Sequence, residues 1–523
     1  MLVFHALAAV LLAAVVSSMP LPIFTPAART LLAHSPNAVR RDIHPIDSSA
    51  SRPFNIDLVV DAHRASIVMA DGSSVAFMTR AYNGDVPGPT VYAVPGDTFT
   101  ITLRNTLGPG AANETNLHIH GLQVAEAMRP VGSMESAVLT YTIPMDHPSG
   151  TFWYHPHRHG LLNAQLSGLL AGAFVILDRP EDLPPSLHHI ADHVVLVQGI
   201  CTTDCSIVHD QLDRAIRGTS SFEPDVAGHV AGVTLVVNGA SVPTLALDAK
   251  TWTRLRLVNA VANNVVELMF PAAACDVHLI ARDGVMKMTW RRVELVVLPP
   301  GGRADVVIRC NVQDEDMYIV VERHAKRDAW LGSHHRAPSQ RILRLTTSER
   351  TIDDTTTTKP LDAGPPHVTL PPTMQFMNES TTANMNNDNA CTLVYEFTTD
   401  TDGRGDVVFG VNHVAMGDRH DDRANERTQL RRLTAQTWCV ESQAAHSHPF
   451  HVHTTPFQIR ETTTWGHTRP ELYEVGEWRD TIPLFRDRVH LRFVPSVAGP
   501  LVSHCHIAWH ADHGMGRIFD VVE

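Results

Sequence analysis

Four short stretches carry histidines two positions apart: His118-Ile119-His120, His155-Pro156-His157, His451-Val452-His453 and His504-Cys505-His506. In an extended strand, residues i and i+2 face the same side. Each pair therefore presents two imidazoles to one place. Imidazole is a good ligand for copper, zinc and iron. Eight such ligands are too many for one mononuclear site, and a closed zinc site stops at four. The pattern points to several metal ions held together between two domains.

The fourth stretch interleaves a thiol. If His504 and His506 face one way, Cys505 faces the other, so one strand serves two sites. A Cys thiolate, two His and a weak axial Met make a blue-copper electron-transfer site. His448, Cys505, His510 and Met515 supply that set. The peptide joining Cys505 to its neighbours is then a short covalent route for electrons. Any one piece has a blander explanation: a lone His-x-His pair is more often surface, and a lone strand Cys is usually core. The conjunction is what points to metal chemistry.

The elements that must hold these residues look like short strands. Runs such as Ala65-Ser-Ile-Val-Met, Asp97-Thr-Phe-Thr-Ile-Thr-Leu and Leu139-Thr-Tyr-Thr-Ile alternate with turn signals at Asn83-Gly84, Pro87-Gly88-Pro89, Pro95-Gly96 and Pro299-Pro300-Gly301-Gly302. That spacing predicts β-sandwiches with little helix. At 523 residues the chain is too long for one core and suggests three domains. A weak repeat supports this: Val94 to Asn105, Thr253 to Asn259 and Thr437 to Val440 open similar units. Domains are expected at 54–180, 190–345 and 367–523, with a linker over 346–366 and a loose arm over 19–53. Residues 1–18, with an apolar run from Ala6 to Val16 and then Ser17-Ser18, read as a secretory signal peptide. The sequons Asn113-Glu114-Thr115 and Asn378-Glu379-Ser380 are usable only on a secreted chain. Seven cysteines leave one unpaired, and Cys505 is the obvious one. Cys201–Cys205 and Cys275–Cys310 are the local pairing guesses. A net charge of -13 gives no case for nucleic acid or an anionic membrane. The mature chain is expected to be a secreted, soluble monomer.

With these motifs in view, the sequence resembles the multicopper oxidase family, which includes laccases, bilirubin oxidases and metallo-oxidases. The segments Arg80-Ala-Tyr-Asn-Gly-Asp-Val-Pro-Gly-Pro-Thr90, Val237-Asn238-Gly239, Pro300-Gly301-Gly302-Arg303-Ala304-Asp305 and Trp478-Arg479-Asp480-Thr481 add to the likeness. The resemblance implies an all-β chain of three consecutive cupredoxin-like Greek-key sandwiches and four copper ions. It assigns His118 and His451 to a type 2 copper. One type 3 copper takes His120, His155 and His506, and the other takes His157, His453 and His504. The type 1 copper takes His448, Cys505 and His510, with Met515 axial. It also implies four one-electron oxidations at the type 1 copper, relayed through Cys505 to His504 and His506, and reduction of O2 to water at the other three.

The chain departs from the family pattern in two places. Leu501 and Ser503 precede His504 where the family usually has aromatic residues. The loop after His120-Gly121 lacks the usual Asp-containing segment. Glu126, Glu135 and Asp512 are the candidates for proton supply, set against a reading as solvated surface carboxylates. His159, His446 and His513 border the clusters and read as surface histidines or as supports for the ligands. The expected reductant is phenolic or aromatic. The alternatives are Cu(I) or Fe(II) oxidation, or a secreted copper-binding protein without turnover.

Overall fold

The computed structural model describes residues 39–40, 53–126, 128–179, 182–188, 190–201, 233–311, 316–348, 374, 391–401, 405, 407–416, 427–444, 446–462 and 469–523. The expected signal peptide, Cys205, Asn378 and most of the expected arm and linker lie outside these residues.

The chain is all-β and forms three consecutive cupredoxin-like sandwiches, each of two sheets. Period-2 alternation drives the strands. In Ser136–Thr142, for example, Ala137, Leu139 and Tyr141 are buried while the residues between them face out. Each sandwich closes over its own apolar core. The first is built around Phe99, Leu103 and Phe174, the second around Leu257, Val277 and Ile308, and the third around Tyr395, Trp438 and Phe519.

The weak repeat in the sequence occupies one position in all three sandwiches. Thr98–Asn105 pairs parallel with Phe54–Val68, Thr253–Asn259 with Ala191–Cys201, and Gln436–Ser442 with Leu393–Thr401. An asparagine braces the turn beside each pair. Asn83, Asn238 and Asn412 all sit at positive φ, at 57°, 50° and 51°. Asparagine tolerates this region because its side chain bonds locally. The Oδ1 atoms accept from the backbone N–H of Val59, Leu196 and Glu396, and the Nδ2 atoms donate to the carbonyls of Asp57, Val194 and Val394.

Cys275–Cys310 is a disulfide between neighbouring strands, and Cys391–Cys439 is a second. Cys201 is also disulfide-bonded. Cys505 is the free thiol among the described residues, and it is buried.

Two observations bear on the arm and on the sequon at Asn113. Within the expected loose arm, Val39–Arg40 pairs parallel with Val91 and Tyr92 and so adds an edge strand to the first sandwich. Asn113 is fully buried, with its amide donating to the Gly108 carbonyl and its Oδ1 accepting from Arg80. A buried, bonded amide leaves no room for a glycan in the folded chain.

Candidate metal centre

The first and third sandwiches each offer one edge of paired strands to the other. In the first, His118–His120 runs antiparallel to Gly150–His155, setting His118 opposite His155. In the third, His448–Val452 runs antiparallel to Gly499–Cys505, setting His451 opposite His504. The eight imidazoles meet where these edges face. The rings of His118 and His453 lie 3.9 Å apart and those of His120 and His451 3.8 Å apart, each pair stacked across the two sandwiches.

Hydrogen bonds fix which nitrogen faces inward. A ligand histidine normally donates its other N–H to an oxygen, which sets tautomer and orientation. The Nδ1 of His118 binds Glu126, at 2.7 Å. The Nδ1 atoms of His155, His451 and His504 bind the carbonyls of Pro156, Asp480 and Cys505. Their Nε2 atoms are left as lone-pair donors. His120 is reversed: its Nε2 binds Asp480 at 3.2 Å and Thr481 at 3.1 Å, and its Nδ1 faces His506 Nε2 at 3.2 Å. His504 Nε2 lies 3.0 Å from His157 Nε2 and 3.3 Å from His453 Nε2.

Two lone pairs facing each other at such distances repel unless a cation sits between them. His118 Nε2, His155 Nε2 and His451 Nε2 are buried without a hydrogen-bond partner among the described residues, a costly state unless a metal is the partner. Donor atoms of His118, His451 and His453, of His118, His120 and His155, and of His157, His453 and His504 each gather within 4.8 Å. Burial holds all eight rings neutral. His118 and His453 are pushed down to about 3, and the other six lie well below the usual histidine value. Neutral imidazole is the form that binds copper, so this donor set fits the metal.

On the opposite face of the same strand, Cys505 Sγ lies 3.6 Å from His448 Nδ1 and 3.6 Å from His510 Nδ1. Met515 is fully buried beside them, and its carbonyl accepts from Cys505 N–H at 2.9 Å. Burial pushes the Cys505 thiol up, as expected for a sulfur whose charged form needs a metal. An aromatic residue from another strand packs beside Ser503. Tyr395 is buried against Trp438, and its hydroxyl donates to the Ser503 carbonyl.

The chain has family models for multicopper oxidases matching residues 64–181 and 371–523. The chain belongs to the multicopper oxidase family. It is a copper-dependent oxidoreductase with O2 as electron acceptor. It is 24% identical to Laccase-1 of Thanatephorus cucumeris, over 84% of this chain and 86% of that one. It is 26% identical to the cell division protein FtsP of Dickeya dadantii, over 83% of each. A solved multicopper oxidase from Campylobacter jejuni, described as a metallo-oxidase, superposes with a TM-score of 0.66 at 20% identity, over 94% of this chain and 97% of that one.

The three carboxylate candidates fare differently. Glu126 is buried against the cluster: it binds His118 and the Ile119 N–H, and lies 3.6 Å from His453 Nδ1. Burial raises its carboxyl above the usual range. Glu135 is exposed and accepts from the Gly132 N–H in a turn. Asp512 accepts from the N–H groups of Gly160, Leu162 and Asn163, so it caps the short helix Leu162–Ser167 across the domain boundary.

Sequence reasoning quoted Arg303 and Asp480 only as marks of resemblance and missed their place in the site. Arg303, from the second sandwich, makes two bonds to Asp480 at 2.7 and 2.6 Å, and Asp480 in turn orients His120 and His451. Asp283 accepts from the Arg303 backbone N–H and pairs with Arg479, so the network spans two sandwiches. Gly301 brings that loop onto the rings. At φ +79°, a Cβ there would stand 2.6 Å from His506 Nε2 and 2.9 Å from His120. A charged pair of residues about 180 positions apart leaves no local spacing to read.

Proposed function

We propose that the chain is a laccase-like oxidase coupling four one-electron oxidations of a phenolic or aromatic reductant to reduction of O2 to water. His448, Cys505, His510 and Met515 hold a type 1 copper. His118 and His451 hold a type 2 copper. His120, His155 and His506 hold one type 3 copper, and His157, His453 and His504 hold the other. Bound copper supplies the one-electron steps and the reduction of O2. The observation that carries this reading is the strand ending at Cys505: its thiol faces His448 and His510, while His504 and His506 face the other six imidazoles.

The remaining work belongs to the chain. The Cys505 backbone links its sulfur to two cluster ligands, giving electrons a through-bond path. Glu126 holds a proton at higher pH than an exposed glutamate and stands beside the cluster, so we assign it proton supply. Asp512 is assigned capping of Leu162–Ser167. Export by the residue 1–18 segment places the enzyme outside the cell, where phenols and O2 reach it. The complete donor set counts against the alternative reading, a secreted copper-binding protein without turnover.

Oxygen uptake by the copper-loaded protein, assayed with phenols, bilirubin, ascorbate, Fe(II) and Cu(I), tests the proposal. Sustained uptake, fastest with phenols, is expected. Fully loaded protein that consumes no O2 with any donor would show a binding protein.

A further inference from the structure

The segment from Arg80 to Thr90 marks the family likeness, yet its first residue takes no part in either metal centre. Arg80 lies on the strand Ser74–Tyr82 and is fully buried. Tyr82, two residues on, belongs to the first core, so alternation turns Arg80 toward the same interior. Burial draws the Arg80 pKa down to about 10, which leaves the side chain charged at neutral pH. No neighbouring charge offsets that effect. Other buried arginines are paired: Arg254 with Asp305, Arg256 with Asp192, Arg303 with Asp480 and Arg479 with Asp283.

A guanidinium carries five N–H bonds. In Arg80, Nη2 donates to the Ala112 carbonyl and to Asn113 Oδ1, each at 3.3 Å. Charge-assisted bonds normally run at about 2.7–2.9 Å, so both of these are weak. Nε and Nη1, which carry the remaining N–H bonds, are buried without a hydrogen-bond partner among the described residues. The side-chain amides around them are turned elsewhere. Asn105 donates to the carbonyls of Asn113 and Val131, and Asn113 donates to the Gly108 carbonyl. A buried charge with open donors is costly unless an opposite charge is its partner.

We propose that Arg80 is the centre of a binding site for a small monovalent anion, a halide such as chloride, enclosed in the first sandwich. One positive charge calls for one negative charge. The open groups are all N–H donors, which suits a ligand that only accepts. A spherical ion needs the least room and no set orientation, which suits a side chain shut off from solvent. The site lies beneath the segment that leads into the cluster. Ala112 and Asn113, which Arg80 holds, precede His118 by a few residues, and Asn116 accepts from the His157 N–H. The ion steadies that segment and takes no part in electron transfer.

Bromide, a heavier halide, locates the site. The copper-loaded full chain is crystallised from chloride-free bromide and diffraction is recorded at the bromine absorption edge. A bromine peak within hydrogen-bond reach of Arg80 Nε or Nη1 is expected. In solution, unfolding of the wild type and of Arg80→Met is followed in chloride and in gluconate at equal ionic strength. Above the dissociation constant, each tenfold rise in chloride should favour the folded wild type by about tenfold more than the variant. Halide binding at copper is common to both proteins and cancels. Arg80 nitrogens bonded to water, with no bromine beside them, overturn the proposal. So does a bromine peak there with equal chloride dependence in the two proteins, which marks an adventitious ion only. Should Arg80→Met not fold, Arg80→Gln, which keeps an amide donor without the charge, takes its place in the comparison.

Discussion

The two faces of the strand Gly499–Cys505 are built on different plans. The face bearing Cys505 looks into the third sandwich, where His448, His510 and Met515 all come from within about 70 residues of one another in one domain. The face bearing His504 looks across a boundary, and four of its eight imidazoles belong to another sandwich. The first site is therefore as stable as the fold around it. The second is only as stable as the docking of two domains. That docking depends on buried charge: Arg303 and Asp480 hold His120 and His451 in place, and the middle sandwich supplies the arginine although it contributes no ligand.

Acid should separate the two sites most strongly. Each imidazole of the interface is held neutral when folded, with His118 and His453 lowered to about 3, but takes a proton near 6.5 when unfolded. The unfolded state binds more protons across that window, so stability falls as pH drops below about 6.5 and keeps falling toward the folded values. The cost is about 1.4 kcal/mol per group per pH unit, shared by eight rings on one face and two on the other. Copper lost from the interface before the blue absorption fades, followed by dialysis at stepped pH, is the expected result. Loss in the opposite order would break the comparison.

Arg303→Ala should come next. It leaves the Asp480 carboxylate buried without its partner, which costs roughly 3–5 kcal/mol. Thermal unfolding should shift down, and the type 2 electron-spin signal should weaken while the blue absorption remains. A variant that loses both signals equally would show that the two faces are not independent. The smallest effect is expected from Glu126→Gln, which keeps the shape but removes the proton. Turnover should fall by about a hundredfold with copper content unchanged. Undiminished O2 uptake would remove Glu126 from proton supply.

Much of this was legible in the sequence because strand geometry is local. His-x-His on a strand implies two rings on one face, and the interleaved Cys505 implies the other face. The parallel strand pairs were visible as a weak Thr- and Leu-rich repeat. What stayed hidden depends on contacts distant in the chain. Nothing near Asp480 announces Arg303. The helix Leu162–Ser167 gives no hint that its cap is Asp512. Tyr395 bonds to the Ser503 carbonyl from more than 100 positions away. Asn113 looked like a glycan acceptor because a sequon carries no information about burial.

The most direct test of the two-faced strand is the copper content and spectrum of Cys505→Ser. Removing the sulfur should abolish the blue absorption while the copper bound at the interface, and the electron-spin signal arising there, remain. A blue band that survives the substitution, or a variant that loses all its copper at once, would contradict the account.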